Sequence, residues 1–199
     1  MATSPAPSGS GAEPDMQGRR VIVGVTGGIA AYKSCTLVSR LAQAGAQVTV
    51  CMTEASTKFV TPLTFQALAG RPVYTDQWTH TEASDPQHIA TASAADLAIV
   101  APCTMDFLAK LATGRTDDVV TLVLSAIDRV QTPVLLAPSM NEVMWKQLST
   151  QRNVEQLIED GFEMIGPADG WQACRAVGPG RMVEPEELYE AVQERVLVS

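Results

Sequence analysis

The chain has 199 residues, 46% of them hydrophobic and 18% charged, which suits one buried core of domain size. Its 14 Lys and Arg against 22 Asp and Glu give a formal charge of −8, so no basic stripe is available to bind a nucleic-acid backbone. No apolar run reaches the roughly 20 residues of a membrane helix, because Asp96, Asp106 and Lys110 interrupt the best stretch, and no membrane partner is expected.

Residues 1–18 are rich in Ala, Ser, Pro and Gly and lack a charged segment followed by an apolar one. They read as a disordered arm, not a secretory signal, leaving residues 19–199 as a single domain. From Arg20 onward, short β-branched runs alternate with longer amphipathic ones, the pattern of βα units. Strands are predicted over 21–25, 47–52, 97–101, 134–137 and 162–165, and the third and fourth each end in Ala-Pro. Helices are predicted over 29–44, stopped by Gly45, then 105–113, 119–127, a broken 144–160, and from Pro185 to Leu197 with Glu186 and Glu187 in its first turn. Phe59, Leu63 and Ala67 mark a further helical stripe closed by Gly70 and Pro72. Cys35, Cys51, Cys103 and Cys174 form no CxxC pair, which argues against a zinc knuckle or disulfide framework and fits a reducing cytoplasm. The expected fold is α/β: a three-layer, Rossmann-like (flavodoxin-like) parallel sheet with helices on both faces. Its ligands should lie beyond the carboxyl ends of the strands.

Five clusters fall at such ends. In Gly24-Val-Thr-Gly-Gly-Ile-Ala-Ala-Tyr-Lys33 the glycines permit a tight turn, and the N–H groups of Gly28, Ile29 and Ala30 would point at an anion. The spacing is not GxGxxG, and Met52-Thr53 stands where a dinucleotide fold carries an acid. A mononucleotide phosphate, with Thr53 and Ser56 as hydroxyl donors, is one reading; a close-packed turn without ligand is the other. His88 precedes an Ala-rich helix and is either a catalyst or a solvated helix-start residue. Ala101-Pro-Cys-Thr-Met-Asp-Phe107 and Ala137-Pro-Ser-Met-Asn-Glu-Val-Met-Trp145 put small or polar groups where a flat ring could approach. The Asn141 amide could donate to a carboxylate or cap a helix. Gln172-Ala-Cys-Arg-Ala-Val-Gly-Pro-Gly-Arg-Met182 holds Cys174 in a predicted loop, free to swing over a ligand or simply exposed.

Together these clusters resemble the homo-oligomeric, flavin-containing cysteine decarboxylase family over about residues 20–183. The marks are Pro138-Ser-Met-Asn-Glu-Val-Met-Trp145 for the family's Pro-x-Met-Asn-x-x-Met-Trp, His88 at its active-site position, and Ala173-Cys174 with Gly178-Pro-Gly-Arg-Met182 for its flap. Two positions depart from the pattern. Pro102-Cys-Thr-Met-Asp-Phe107 stands for Pro-Ala-Ser-Ala-Asn-Thr, and Arg175 replaces the glycine after the flap cysteine.

The resemblance implies FMN as cofactor, held by Gly27, Gly28, Ile29, Ala30, Thr53, Ser56, Thr104, Met105, Asp106, Phe107 and Ser139, with no metal. It implies decarboxylation of 4′-phosphopantothenoylcysteine to 4′-phosphopantetheine in coenzyme A synthesis. In that scheme Asn141 grips the carboxylate, His88 assists the oxidative step and Cys174 protonates the enethiolate. The partners implied are a phosphorylated thiol substrate and further copies of the chain, as a homotrimer or trimer-based dodecamer with FMN at a subunit boundary. A peptidyl-cysteine or other thiol-acid decarboxylase, or a non-enzymatic regulatory or structural relative, is the alternative.

Overall fold

Alternation along β1 (Arg20–Val25) divides the molecule into layers. Val21, Val23 and Val25 enter one apolar core while Ile22 enters another, as side chains on a strand must. In a computed structural model, which describes residues 16–79, 86–171, 173, 175 and 177–198, β1 lies between β2 (Gln47–Met52) and β3 (Leu97–Cys103). The sheet continues through β4 (Val134–Pro138) to β5 (Glu163–Met164), all parallel, in the order β2-β1-β3-β4-β5.

On one face, Leu37, Val38 and Leu41 of α1 (Ala31–Gln43), Phe65 of α2 (Pro62–Ala69) and Leu188, Val192 and Val196 of α8 (Pro185–Val198) are buried. On the other, Ala92 of α3 (Gln87–Ser93), Phe107 and Leu108 of α4 (Met105–Ala112), Val119 and Val120 of α5 (Val119–Ser125) and Leu157 of α7 (Leu148–Glu159) are buried. This is the expected three-layer flavodoxin-like arrangement. The strand order reverses beside β1, where β1 and β3 splay their following loops to opposite faces and open a crevice. Among the described residues no helix is long and apolar enough to cross a membrane.

Several expectations shift in detail. Met16, assigned to the arm, is fully buried and its N–H donates to Ala44 O at 3.0 Å, so ordered chain begins before residue 19; residues 1–15 lie outside the described part. Phe59 and Leu63 are 49% and 71% exposed, and Phe65 is the buried residue of that segment. The reason is phase: a 3-10 turn at Glu54–Lys58 intervenes and α2 starts afresh at Pro62, so Phe59 is not on its helix. The predicted 144–160 helix is two helices, α6 (Glu142–Trp145), capped by Asn141, and α7. The glycine-rich loop contains strand β7 (Val177–Arg181), paired antiparallel with β6 (Ala168–Trp171).

Candidate active site

A cavity of about 1090 Å³ opens beyond the carboxyl ends of β1, β2, β3 and β4. Its centre is tied together by Thr26, which follows β1: the buried hydroxyl donates to Pro102 O at 2.6 Å and accepts the Thr104 N–H at 3.2 Å. The next residues form a floor without side chains. A Cβ on Gly27 would lie 2.5 Å from the Ala55 Cβ, so the loop after β2 can close onto β1 only over glycine. Helix α1 then begins at Ala31, behind the N-cap Ala30, with no capping side chain and no acid in its first turn. The Ile29 and Ala30 N–H groups have no partner among the described residues, whereas the Gly28 N–H donates to Thr26 O at 2.9 Å. The three donors expected for an anion are therefore two, because the tight turn closes on itself through Gly28.

Thr53 lines the cavity, but its hydroxyl accepts the Ser56 N–H at 3.3 Å as cap of the 3-10 turn. Ser56 does not line it. The turn folds Ser56 under the chain, fully buried, with its hydroxyl donating to Thr53 O at 2.7 Å, so the expectation of a ligand-facing Ser56 is corrected. Thr104, Met105, Asp106 and Phe107 line the wall at the start of α4, with the Thr104 hydroxyl accepting the Phe107 N–H at 3.4 Å. Asp106 is exposed and lies 3.7 Å from Lys110, which also pairs with Asp117 at 3.3 Å and Asp118 at 3.2 Å. Burial works against the Lys110 charge, but the carboxylates outweigh it and raise its pKa.

Ser139 and Asn141 also line the cavity. The Ser139 N–H donates to Cys103 O and the Met140 N–H to Gly180 O, both at 2.9 Å, which fastens the segment between β3 and the hairpin. Asn141 Oδ1 accepts the Met144 N–H at 2.8 Å and caps α6. Capping and substrate contact are thus compatible: the cap takes the oxygen and leaves the amide NH2 as donor. Gly178 packs on α6 at a place where a Cβ would collide with the Glu142 carboxylate.

His88 does not line the cavity of its own chain; it is half-buried in the first turn of α3. Cys174 lies outside the described residues, although its neighbour Ala173 lines the cavity. Arg175, where the resembling pattern has glycine, has φ of 66°, the left-handed region that strains a residue with a Cβ. Burial pushes the Cys51 thiol up to about 12 and the Cys103 thiol higher still, so neither supplies a thiolate.

Lys33, Arg181 and Glu184 also line the cavity; the first two stand inside clusters singled out in the sequence but with no role assigned there, and Glu184 stands outside them. Lys33 Nζ and Arg181 Nη1 share Glu184 Oε1 at 2.9 and 2.5 Å. Lys33 was accessible in principle, standing one turn into the helix whose start faces an anion. Its partners arrive from the other end of the chain and leave no local signal.

The family described as Flavoprotein matches residues 10–197. The coenzyme A biosynthesis bifunctional protein CoaBC of Bacillus subtilis is 45% identical over 179 residues, covering 90% of this chain and 43% of the relative. The protein of the same name from Escherichia coli is 42% identical over 175 residues, covering 88% and 42%. The chain thus spans less than half the length of these curated relatives. A solved PPC decarboxylase, a cysteine-to-serine mutant complexed with pantothenoylaminoethenethiol, superposes with a TM-score of 0.78 at 28% identity, covering 88% of this chain and 97% of that one. The FMN-dependent cysteine decarboxylase SpaF superposes with a TM-score of 0.77 at 29% identity, covering 91% and 97%.

Proposed function

The chain belongs to the flavoprotein family, and on that premise we propose that its cavity binds FMN and decarboxylates 4′-phosphopantothenoylcysteine to 4′-phosphopantetheine. The reaction is a carboxy-lyase step of coenzyme A biosynthesis, carried out in the cytoplasm by one flavoprotein decarboxylase domain that includes Met16 and continues through the C-terminal helix. The observation that carries this reading is Asn141: a cavity-lining amide whose oxygen is fixed by the α6 cap and whose NH2 is left to donate.

The residues fit the cofactor. Two N–H groups without partners among the described residues, at an uncapped helix start, suit its phosphate. Gly27 lets Ala55 close over the turn, Gly28 adds no side chain beside Thr104 and Pro102, and Thr53, Thr104, Met105, Asp106, Phe107 and Ser139 line the cavity. FMN, when bound, would accept hydride from the cysteine C–S unit, leaving a C=S group that serves as the electron sink as CO2 departs, and would return that hydride at the end so that the net reaction is redox-neutral.

The side chains do the positioning and proton work. The Asn141 NH2 donates to the substrate carboxylate and holds it in the reactive pose. Being neutral, it does not over-stabilise an anion that must become CO2. Cys174 gives a proton to the enethiolate carbon, and His88 orients the substrate or takes its proton during oxidation. His88 lies off its own chain's cavity, so in this scheme a second copy brings it in. Exposed Ile29 and Tyr32 at the cavity, 57% and 60% accessible, support a subunit boundary there, which in the assembly the resemblance implies is that of a homotrimer, alone or built into a dodecamer, with FMN between copies.

The test is the flavin released on denaturation, followed by turnover of 4′-phosphopantothenoylcysteine with detection of CO2 and 4′-phosphopantetheine. FMN and both products are expected. FAD, no flavin, or a flavoprotein inert toward this substrate would refute the reading.

A further inference from the structure

The charges around the cavity are unevenly committed. On the α4–α5 wall, Lys110 is surrounded by Asp106, Asp117 and Asp118, so that wall is net negative and repels anions. On the α1 side, Lys33 and Arg181 share the single carboxylate of Glu184, leaving that trio one net positive charge, with Glu54 lining the cavity apart from it at the turn after β2. Arg181 is the less satisfied of the two cations. Of its guanidinium only Nη1 is bonded, and the buried Nε–H is the one buried side-chain polar atom without a partner among the described residues. An unpaired buried donor is costly and calls for an acceptor. Gly170 leaves the Arg181 side chain its place against the hairpin, since a Cβ there would stand 2.8 Å from Nε and 3.3 Å from Cζ, so it is the Nη end of the guanidinium that remains to meet a ligand.

We propose that Arg181, set in place by Glu184 and Lys33, receives the phosphate monoester of the substrate. The assignment rests on the decarboxylase reading above and adds to it the residue that selects a phosphorylated thiol acid over its dephosphorylated counterpart. A planar guanidinium suits a phosphate, which offers several oxygens to its donors. The substrate carboxylate is the poorer match, because a cation bound there would stabilise the ground state and lose its contact as neutral CO2 forms. The cofactor phosphate is also a poorer match, since the N–H groups of Ile29 and Ala30 already offer it a site.

The experiment is steady-state decarboxylation by the holoenzyme of 4′-phosphopantothenoylcysteine and of pantothenoylcysteine, comparing wild type with Arg181→Gln, Arg181→Lys and Glu184→Gln. Arg181→Gln should raise KM for the phosphorylated substrate about tenfold or more relative to its effect on the dephosphorylated one, the loss expected for one charge-assisted contact. Arg181→Lys should restore part of that discrimination. Glu184→Gln keeps an amide oxygen to position Arg181 and Lys33 but removes the negative charge that competes for them, so it should lower KM for the phosphorylated substrate. A residue that only props the hairpin predicts otherwise: Arg181→Gln and Glu184→Gln would raise KM for both substrates alike, which overturns the proposal. Loss of FMN from Arg181→Gln also overturns it, by assigning the contact to the cofactor. A wild-type protein that turns over neither substrate refutes the decarboxylase reading itself, a result separate from these.

Discussion

In the proposed mechanism Asn141 performs two tasks with the two ends of one amide, and substitutions separate them. Aspartate is a good helix cap, so Asn141→Asp should keep α6, the fold and bound FMN. It would set an anion against the substrate carboxylate in a site shielded from water. Decarboxylation should fall by about two orders of magnitude, roughly 3 kcal/mol. Asn141→Ala should lose the pose and also the cap, about 1 kcal/mol of stability. CO2 release, flavin absorbance and melting temperature on the same preparations check both variants. The neighbouring glycines make a second contrast. A Cβ at Gly27 meets the Ala55 Cβ at 2.5 Å, whereas at Gly28 the nearest atoms, Thr104 Cγ2 and Pro102 Cγ, are 3.4 and 3.6 Å away. Gly27→Ala should therefore destabilise the protein by about 1–3 kcal/mol. Gly28→Ala should melt close to wild type but bind FMN more weakly, as a flavin titration would reveal.

Secondary-structure elements meet at this site through Glu184, which stands between β7 and α8 and bonds to α1. Its carboxyl is held below the ordinary value of 4.5, first by the Lys33 hydrogen bond, against burial, and then by the charges of Lys33 and Arg181. A depressed carboxyl contributes stability that is complete above its unfolded-state value and disappears as pH falls through the folded-state value. Melting temperature should accordingly drop on acidification from about pH 4.5 downward. Glu184→Gln should start lower at neutral pH and show a shallower acid decline, so that the two curves converge. Parallel curves would mean that the ion pair contributes nothing to the junction. The break between α6 and α7 belongs to the same scale: Gln151 Nε2 donates to Trp145 O at 2.6 Å, and Thr150 Oγ1 donates at 2.7 Å to Met144 O, which also accepts the Gln147 N–H at 3.3 Å, so side chains of α7 help to satisfy the end of α6.

At the scale of the whole molecule, the three layers bury both faces of the sheet but leave Tyr32 60% and Trp78 81% exposed. In the proposed trimer the cavity mouth is covered by a second copy, which also delivers His88. Light scattering should then give a mass that is a multiple of three chains. Tyr32→Glu, which places a charge on that mouth, should shift the mass toward monomer and weaken flavin retention together. A trimeric mass with unchanged flavin in Tyr32→Glu would move the interface elsewhere.

Most of the fold was legible because each strand and helix writes its own period into consecutive residues. Val21, Val23 and Val25 against Ile22 identify a two-faced strand, Leu37, Val38 and Leu41 a helix stripe, and the Pro-x-Met-Asn run placed Asn141 correctly at a strand end. Phe59 and Leu63 misled because Pro62 resets the helical phase, a local event that the apolar pattern did not register. Ser56 misled because a hydroxyl reads the same whether it faces a ligand or closes its own turn. Sequence alone thus determined the layers, the strand ends and the amide. Only the tertiary structure decided which hydroxyls remain free, that His88 stands away from its own chain's cavity, and that Lys33, Arg181 and Glu184 form one cluster. The reason is physical: periodicity is repeated along neighbouring residues, whereas a contact between two single charges far apart in the chain exists only once the intervening strands have packed.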